Sequence, residues 1–170
     1  MATGVGAGYL LRHALAIAVL PVTVAVVVPV WLARRNDVTL ALGDGPGAVA
    51  MLVAGVGLAG VGLLLFVGSV GRFAAEGRGT LAPWDPPREL VISGPYRHVR
   101  NPMISGVTLM LFGEALVLRS RAHLLWACLF LAANALYIPL VEEPALARRF
   151  GDGYREYCRQ VPRLIPRLKP

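Results

Sequence analysis

The chain alternates long apolar stretches with short polar ones that are rich in arginine. Four apolar blocks run over residues 12–33, 47–73, 102–118 and 122–141. A transmembrane helix needs about 20 apolar residues. The pattern predicts an all-α polytopic membrane protein with about four transmembrane helices and a helical C-terminal tail. We expect a single membrane domain over residues 1–170, with a polar loop at 74–101 and a polar tail at 142–170.

The sequence also predicts how the spans pack. Pro21 and Pro29 would kink the first span, which neighbouring helices tolerate in a membrane. Only residues 119–121 separate the third and fourth spans, which predicts a tight antiparallel hairpin. Small residues let helices approach closely where lipid gives no hydrophobic drive, and the alternative is a loosely packed, flexible span. The second span carries such residues at Gly55, Gly57, Gly60, Gly62, Gly68 and Gly71.

The distribution of charge predicts orientation. The chain is 56% hydrophobic and 16% charged, with a formal net charge of +7. Its basic residues lie between and after the apolar blocks, which is typical of membrane topology and argues against nucleic-acid binding. With the N-terminus inside, 13 of the 17 Lys and Arg residues lie on the cytoplasmic side. We therefore expect a multi-pass protein of the inner (plasma) membrane with both termini cytoplasmic. The long first apolar run, followed by Arg34 and Arg35, indicates a retained span rather than a secretory signal.

The polar loop contains the first candidate site. It is rich in proline, which predicts rigid, irregular backbone rather than helix. Asn101 and Pro102 form a good helix start, because Asn caps a helix and Pro suits its first position. A helix N-terminus offers free N–H groups and a partial positive charge, which suit a carboxylate or hydroxyl of a ligand.

The second candidate site is the pair Glu142 and Glu143, where the fourth span ends. The alternative is a solvated helix start, where acids favour the helix dipole. The tail that follows has one apolar face at helical spacing, which would lie on the membrane or cap the loop. That face consists of Leu146, Phe150, Tyr154 and Tyr157.

Four further residues lie outside these two candidate sites. Cys128 lies in a span and Cys158 in the tail, and no Cys/His spacing resembles a disulfide framework or a metal site. Glu114 and Asn134 are polar residues within spans, which makes them functional candidates. For Glu114, a structural ion pair with Arg119 or Arg121 near the outer face is the preferred interpretation.

Two ordered motifs resemble a known family. The first is GPYRHVRNP at residues 94–102, followed by Gly106. The second is EEPAL at residues 142–146, followed by Phe150-Gly151, Tyr154, Tyr157 and VPR at 161–163. Together they resemble the isoprenylcysteine carboxyl methyltransferase superfamily, which includes phospholipid methyltransferase-like members. The resemblance covers residues 79–167.

The resemblance implies a few transmembrane helices, a cytoplasmic pocket for S-adenosylmethionine and a lipid-facing tunnel for an apolar or lipid-like substrate from the bilayer. From the Cys/His spacing we expect no metal. Carried over by position, the catalytic candidates are Arg100, Asn101 and Glu142. The implied cofactor contacts are Leu90, Val91, Tyr96, Asn101, Pro102, Met103, Ile104 and Glu142.

Three positions depart from the family pattern. Asn101 replaces the family's His, and His98 is a candidate substitute, with a solvated loop histidine as the alternative. Ile104 replaces a Tyr and so lacks its hydroxyl. Ile138 stands where prenylcysteine enzymes place an Arg that holds the substrate carboxylate. This last change argues against a prenylcysteine carboxylate as the substrate.

Two other functions are compatible with the sequence. Sterol reductases share a similar Gly-Pro-Tyr-Arg corner but use a nicotinamide cofactor, and they are much larger. A non-enzymatic membrane scaffold with a basic face for anionic lipid would also explain the arginines. We expect a membrane methyltransferase that uses S-adenosylmethionine.

Overall fold

The computed structural model describes residues 18–38, 40, 45–77 and 88–167. Within these ranges the chain is helical and has no strand, which confirms the all-α prediction. The helices are α1 (Val28–Arg35), α2 (Pro46–Glu76), α3 (Pro102–Leu118), α4 (Arg121–Tyr137) and α5 (Glu143–Gln160). A π-helical stretch, Ala18–Val27, leads into α1, and a π-helical turn, Ile138–Glu142, joins α4 to α5. A short 3-10 helix, Gly94–Arg97, lies before α3.

Two helical segments in the described ranges are long and apolar enough to cross a membrane. They are α2 and the continuous run Arg121–Gln160, which contains α4 and α5. The apolar helix α3 is shorter, at 17 residues, and has the bounds that the sequence predicted. The structure thus has the apolar helices of a membrane protein, while a total of four spans stays a prediction. The start of the predicted first span, residues 12–17, lies outside the described residues.

Helices α2 and α3 approach most closely at two pairs of facing glycines. Gly55 lies opposite Gly113, and Gly62 lies opposite Gly106. A Cβ atom built on Gly62 would lie 2.5 Å from the Gly106 carbonyl oxygen, so no side chain fits between the two backbones. The predicted close packing is confirmed at Gly55 and Gly62. Gly57, Gly60 and Gly71 instead have nothing within 4 Å of such a Cβ, and Gly68 meets only Pro95, at 3.7 Å.

Two hydrogen bonds attach the N-terminal helix to α4. The indole Nε1 of Trp126 donates to the Val24 carbonyl at 3.0 Å, and Nε2 of His123 donates to the Pro29 carbonyl at 3.0 Å. Pro29 has no N–H, so a π-helical bond from residue 29 to the carbonyl of Val24 cannot form. The Trp126 indole satisfies that carbonyl instead.

The hairpin between α3 and α4 is as tight as predicted. Arg119 adopts the left-handed conformation at φ 47°, and Ser120 caps α4 by accepting from the His123 backbone N–H at 3.4 Å. The expected ion pair of Glu114 is wrong: no salt bridge joins it to Arg119 or Arg121 within the described residues, and its Oε2 is buried there without a hydrogen-bond partner. Asn134 donates to the Phe130 carbonyl at 2.9 Å, one turn earlier in its own helix.

The tail helix α5 turns back over the polar loop. Its backbone departs from helical geometry at Gly151, where φ is 59° and ψ is −133°. Left-handed φ values are readily accessible to glycine, which has no Cβ. Tyr154, after this kink, is 4% exposed, and the Tyr157 hydroxyl reaches the loop. The tail therefore caps the loop, which was one of the two arrangements predicted for its apolar face.

Candidate active site

The corner at the start of α3 leaves backbone N–H groups unpaired. Asn101 occupies the N-cap position, but its side chain does not cap the helix. It donates instead to the Arg163 carbonyl at 3.3 Å, so the predicted Asn cap is wrong. The Ser105 N–H bonds to the Asn101 carbonyl at 3.0 Å, while within the described residues the N–H groups of Met103 and Ile104 have no acceptor. These two groups, at the positive end of the helix dipole, can bind an anionic or hydroxyl group of a ligand.

The C-terminal strap, defined here as residues 161–167, lies along this corner. The backbone N–H of Arg100 donates to the Pro162 carbonyl at 2.8 Å, and that of Asn101 donates to the Arg163 carbonyl at 3.2 Å. Farther along, the Ser105 hydroxyl donates to the Leu164 carbonyl at 2.7 Å. The strap therefore satisfies backbone groups that the irregular loop cannot pair within itself.

His98 joins the loop to the end of the strap. Its backbone carbonyl accepts from the Arg167 N–H at 3.0 Å, and its Nδ1 donates to the Arg167 carbonyl at 2.9 Å. The ring is part-buried rather than freely solvated. This geometry gives His98 the role of an anchor for the strap, and neither of the two sequence interpretations described it.

A part-buried ion-pair cluster is centred on Glu143. Arg100 Nη1 lies 2.7 Å from Glu143 Oε1, and Arg163 contacts both carboxylate oxygens, each at 2.8 Å. The same Arg100 nitrogen donates to the Cys158 sulfur at 2.9 Å. The Arg100 and Glu143 side chains are 12% and 15% exposed. Arg100, predicted to be catalytic, therefore faces Glu143 and the thiol.

Glu142 lies apart from this cluster and beside Tyr96. Within the described part of the chain its carboxylate has no hydrogen bond or ion pair. Burial, with a smaller contribution from the Glu143 charge, raises the pKa of Glu142. Burial also raises the pKa of Tyr96, as do Tyr157 and Glu142 to smaller extents. Glu142 is thus a half-buried, unpaired carboxylate close to the Tyr96 phenol.

The loop backbone around Tyr96 is fixed from both sides. The Tyr157 hydroxyl of α5 donates to the Tyr96 carbonyl at 2.7 Å. The Ser93 hydroxyl donates to the Glu76 carboxylate at the end of α2, at 2.6 Å. Gly94, with φ +57°, packs against the Arg72 side chain. These contacts hold the Tyr96 ring, which is 9% exposed, in one place.

The other predicted cofactor contacts differ in how deeply they are buried. Val91 is 5% exposed and Pro102 is buried, so both form the floor beneath the corner. Leu90, Met103 and Ile104 are half-buried. Residues 78–87 of the predicted loop lie outside the described residues. The three predicted contacts that remain partly accessible are therefore apolar.

A groove of about 340 Å³ opens beside the ion-pair cluster. It is bounded by Pro139 of the π-helical turn and by one side of α5. Its lining residues are Pro139, Glu143, Pro144, Ala147, Tyr154, Arg155 and Cys158. The groove borders Glu143 and does not include Glu142, so the two glutamates face different surroundings.

Sequence reasoning named Glu143 only as one of a candidate pair with Glu142, and it assigned no catalytic or cofactor-binding role to Glu143, Arg163 or Cys158. All three lay within or beside the two motifs, but a motif does not say which of two adjacent acids turns toward which partner. The available signal was the arginine of VPR at residues 161–163, which needs an anion once the tail folds back over the loop.

Comparison with known proteins identifies the family. The family model described as phospholipid methyltransferase matches residues 50–153, which is more than half of the chain. A relative named methanethiol S-methyltransferase 2, from Bradyrhizobium diazoefficiens, is 37% identical over 76 residues. That alignment covers 43% of this chain and 27% of the relative, so the chain spans about a quarter of the relative's length. No solved structure matches the chain. The match over α2 to α5 shows that the chain belongs to the phospholipid methyltransferase family, within the superfamily that its two sequence motifs resemble.

Proposed function

We propose that this protein is an integral membrane methyltransferase that uses S-adenosylmethionine and acts on a small apolar or lipid-like acceptor. The observation that carries the proposal is the Glu142 carboxylate beside Tyr96, which has no hydrogen bond or ion pair within the described residues, together with a helix start whose Met103 and Ile104 N–H groups have no acceptor there. An unpaired carboxylate that is partly buried is costly unless a ligand compensates it. Free N–H groups at a helix start are the matching sites for a ligand's anionic end.

The residues present fit a sulfonium nucleoside that carries an amino acid. Glu142 would accept hydrogen bonds from its ammonium or hydroxyl groups, and the N–H groups of Met103 and Ile104 would bind its carboxylate. The Tyr96 ring and the Met103 side chain would pack against the flat and apolar parts. The Asn101 amide nitrogen already donates to the Arg163 carbonyl of the strap. Its side-chain oxygen could still accept a hydrogen bond from the ligand.

Methyl transfer from a sulfonium depends on the alignment of donor and acceptor and needs no acid–base pair. When bound, the sulfonium would supply an electrophilic methyl group to a lone pair of the acceptor, and the electrons of the broken C–S bond would remain on its sulfur. The chain contributes by holding donor and acceptor in line and by keeping water away. The buried floor of Val91 and Pro102, the strap and the capping helix α5 are suited to that task.

The acceptor is proposed to arrive from the bilayer, along α3 and α4. Ile138, which replaces an Arg of the prenylcysteine enzymes, is fully buried, so this position offers no cation to a substrate carboxylate. This favours a neutral acceptor. A small thiol is a second candidate, because the relative from Bradyrhizobium is named for methylating methanethiol. We further propose that the site faces the cytoplasm, in agreement with the distribution of arginines.

The direct test uses purified protein in nanodiscs. Calorimetry with S-adenosylmethionine should give saturable binding, and NADPH should give none. Glu142→Gln should weaken binding by about 1.5–3 kcal/mol if the carboxylate makes one charged hydrogen bond. Wild-type affinity and turnover in Glu142→Gln would refute the role of this residue.

The acceptor can be identified with methyl-labelled cofactor. The protein is incubated with a membrane lipid extract in one arm and with methanethiol in the other, and the labelled products are separated. Labelled lipid supports the lipid-like acceptor, and labelled thioether supports the thiol. A scaffold predicts binding of anionic vesicles without any binding of S-adenosylmethionine, and a reductase predicts binding of NADPH.

A further inference from the structure

Glu143 connects its own helix to two other segments. The residue is the first of α5, Arg100 lies in the loop before α3, and Arg163 lies in the C-terminal strap. Its two carboxylate oxygens accept from Arg100 at 2.7 Å and from two nitrogens of Arg163 at 2.8 Å. Charge-assisted bonds of this length, with a two-pronged arginine, are the strong and directional ones.

The two adjacent glutamates face different partners. Consecutive residues on a helix point about 100° apart, so one turned toward the arginines leaves the other turned away. Glu143 is saturated by guanidinium groups, while Glu142 has no hydrogen bond or ion pair in the described part of the chain. Only Glu142 is free to take a ligand, and its place is set by the residue that follows it.

The strap depends on the same carboxylate. Its carbonyls at Pro162 and Arg163 hold the N–H groups of Arg100 and Asn101, directly before α3. Without the Glu143 charge, the guanidinium groups of Arg100 and Arg163 would repel each other across the space that the carboxylate fills. The strap would then leave the corner, and the start of α3 would lose its support.

We propose that Glu143 is a positioning residue that holds the C-terminal strap against the corner at Arg100 and Asn101, and so sets the spacing between Glu142 and the start of α3. This inference rests on the proposed function, since that spacing is the one that S-adenosylmethionine would bridge. It assigns Glu143 and Arg163 no contact with the cofactor.

The accessibility of the Cys158 thiol shows whether the strap is bound to the corner, and its measurement needs no cofactor. Its sulfur lies 2.9 Å from Arg100 Nη1 and beside the groove, so departure of the strap and release of Arg100 would uncover it. The chain has two cysteines, and the exposed Cys128 can be replaced by Ser to leave a single thiol. In this background, the rate at which maleimide labels Cys158 in nanodiscs measures how readily the ion-pair cluster around Glu143 opens.

The experiment compares three variants in the Cys128→Ser background: Glu143→Gln, Arg163→Gln and Arg163→Lys. Both Gln variants should speed Cys158 labelling at least about fivefold and raise the dissociation constant of S-adenosylmethionine about tenfold. Arg163→Lys keeps the charge but loses the two-pronged geometry, so it should fall between these variants and wild type. Glu156→Gln is the matched control on α5, because in the described part of the chain that exposed carboxylate pairs only with Arg159 and Gln160 of the same helix; both readouts should stay within about twofold.

The outcomes separate this inference from the proposed function. If Glu143→Gln weakens cofactor binding while Arg163→Gln leaves binding and labelling unchanged, Glu143 is a direct ligand and the positioning role is overturned. If wild type binds no S-adenosylmethionine, the proposed function fails, while the labelling rates still decide whether Glu143 holds the strap. Should Glu143→Gln not fold, Arg163→Lys still decides the matter: wild-type labelling and affinity in that variant contradict the proposal.

Discussion

Gly62 and Gly106 face each other across α2 and α3 with no room for a side chain. A Cβ built on Gly106 would lie 2.7 Å from the Gly62 carbonyl oxygen and 2.9 Å from the Phe66 backbone nitrogen. Real Cβ atoms do not approach that closely, so the two helices must separate if either glycine is replaced. Because α3 begins at the corner that carries the candidate site, this contact also fixes the position of that corner against α2.

Replacing Gly62 by Ala is therefore expected to destabilise the protein. Overpacking of this kind costs about 1–3 kcal/mol, which outweighs the better helix propensity of Ala. The matched control is Gly60→Ala in the same helix, where a Cβ has nothing within 4 Å and the propensity gain of up to about 1 kcal/mol remains. Thermal unfolding in detergent should show a lower midpoint for Gly62→Ala and an equal or higher one for Gly60→Ala. Equal midpoints in the two variants would contradict the close contact.

A second prediction concerns the bond between the tail and the loop. The Tyr157 hydroxyl donates to the Tyr96 carbonyl at 2.7 Å, and Tyr157→Phe removes that donor while keeping the ring. Leaving the carbonyl without its partner should cost about 1 kcal/mol of stability. Tyr137→Phe, at an exposed position of α4, is the control and should change the midpoint little. Identical midpoints for the two variants would show that the bond does not hold the tail on the loop.

Parts of this arrangement could be predicted from sequence and parts could not. The bounds of α3 followed from local chemistry: Asn101-Pro102 begins a helix, and the short polar turn at residues 119–121 ends it. The glycines of α2 predicted close packing but not which of them take part. That depends on the partner helix, since Gly55 and Gly62 are seven residues apart, as are Gly106 and Gly113, which face them.

The sequence predicted which segments form the candidate site but not which side chains contact each other there. The motifs indicated that the loop and the residues after the fourth span meet, and Arg100 and Glu143 are in contact. Which glutamate faces the arginines is decided by the π-helical turn Ile138–Glu142, which changes the rotation of the helix just before α5. The Asn101 side chain was expected to cap α3, but the strap, distant in sequence, offered its carbonyl instead.

Stability should depend on pH through Glu142. Burial raises the pKa of Glu142 in the folded protein, so the folded state favours the protonated acid. As the pH rises above the ordinary Glu pKa of about 4.3, the unfolded chain ionises first, and the folded protein loses stability until the pH has passed the raised pKa. Gln cannot ionise and escapes this loss.

The measurement is a series of thermal midpoints between pH 4 and pH 8. Glu142→Gln should unfold at a higher temperature than wild type at pH 8, and the difference should narrow as the pH falls. Glu156→Gln on the exposed side of α5 should show no such trend. A difference between wild type and Glu142→Gln that is constant across the series would contradict the burial of an ionisable carboxylate at this position.

Cofactor affinity should also depend on the ionisation of Glu142. As the pH falls, the affinity should fall, whereas the contribution of Glu142 to stability rises. Only the ionised Glu142 can act as a charged acceptor for the ammonium or hydroxyl groups of S-adenosylmethionine. Because burial raises the pKa of Glu142, protonation begins at a higher pH than for an exposed glutamate, and binding should weaken as the pH falls through that raised value. Below it, the dissociation constant should rise by up to about tenfold per pH unit, the limit for one required deprotonation. Calorimetric titrations of wild type and Glu142→Gln at matched pH values test this: the wild-type constant should depend on pH and that of Glu142→Gln should stay nearly flat. Parallel pH profiles for the two proteins would mean that another group controls binding, and Glu142 would lose its assignment as the cofactor's ligand.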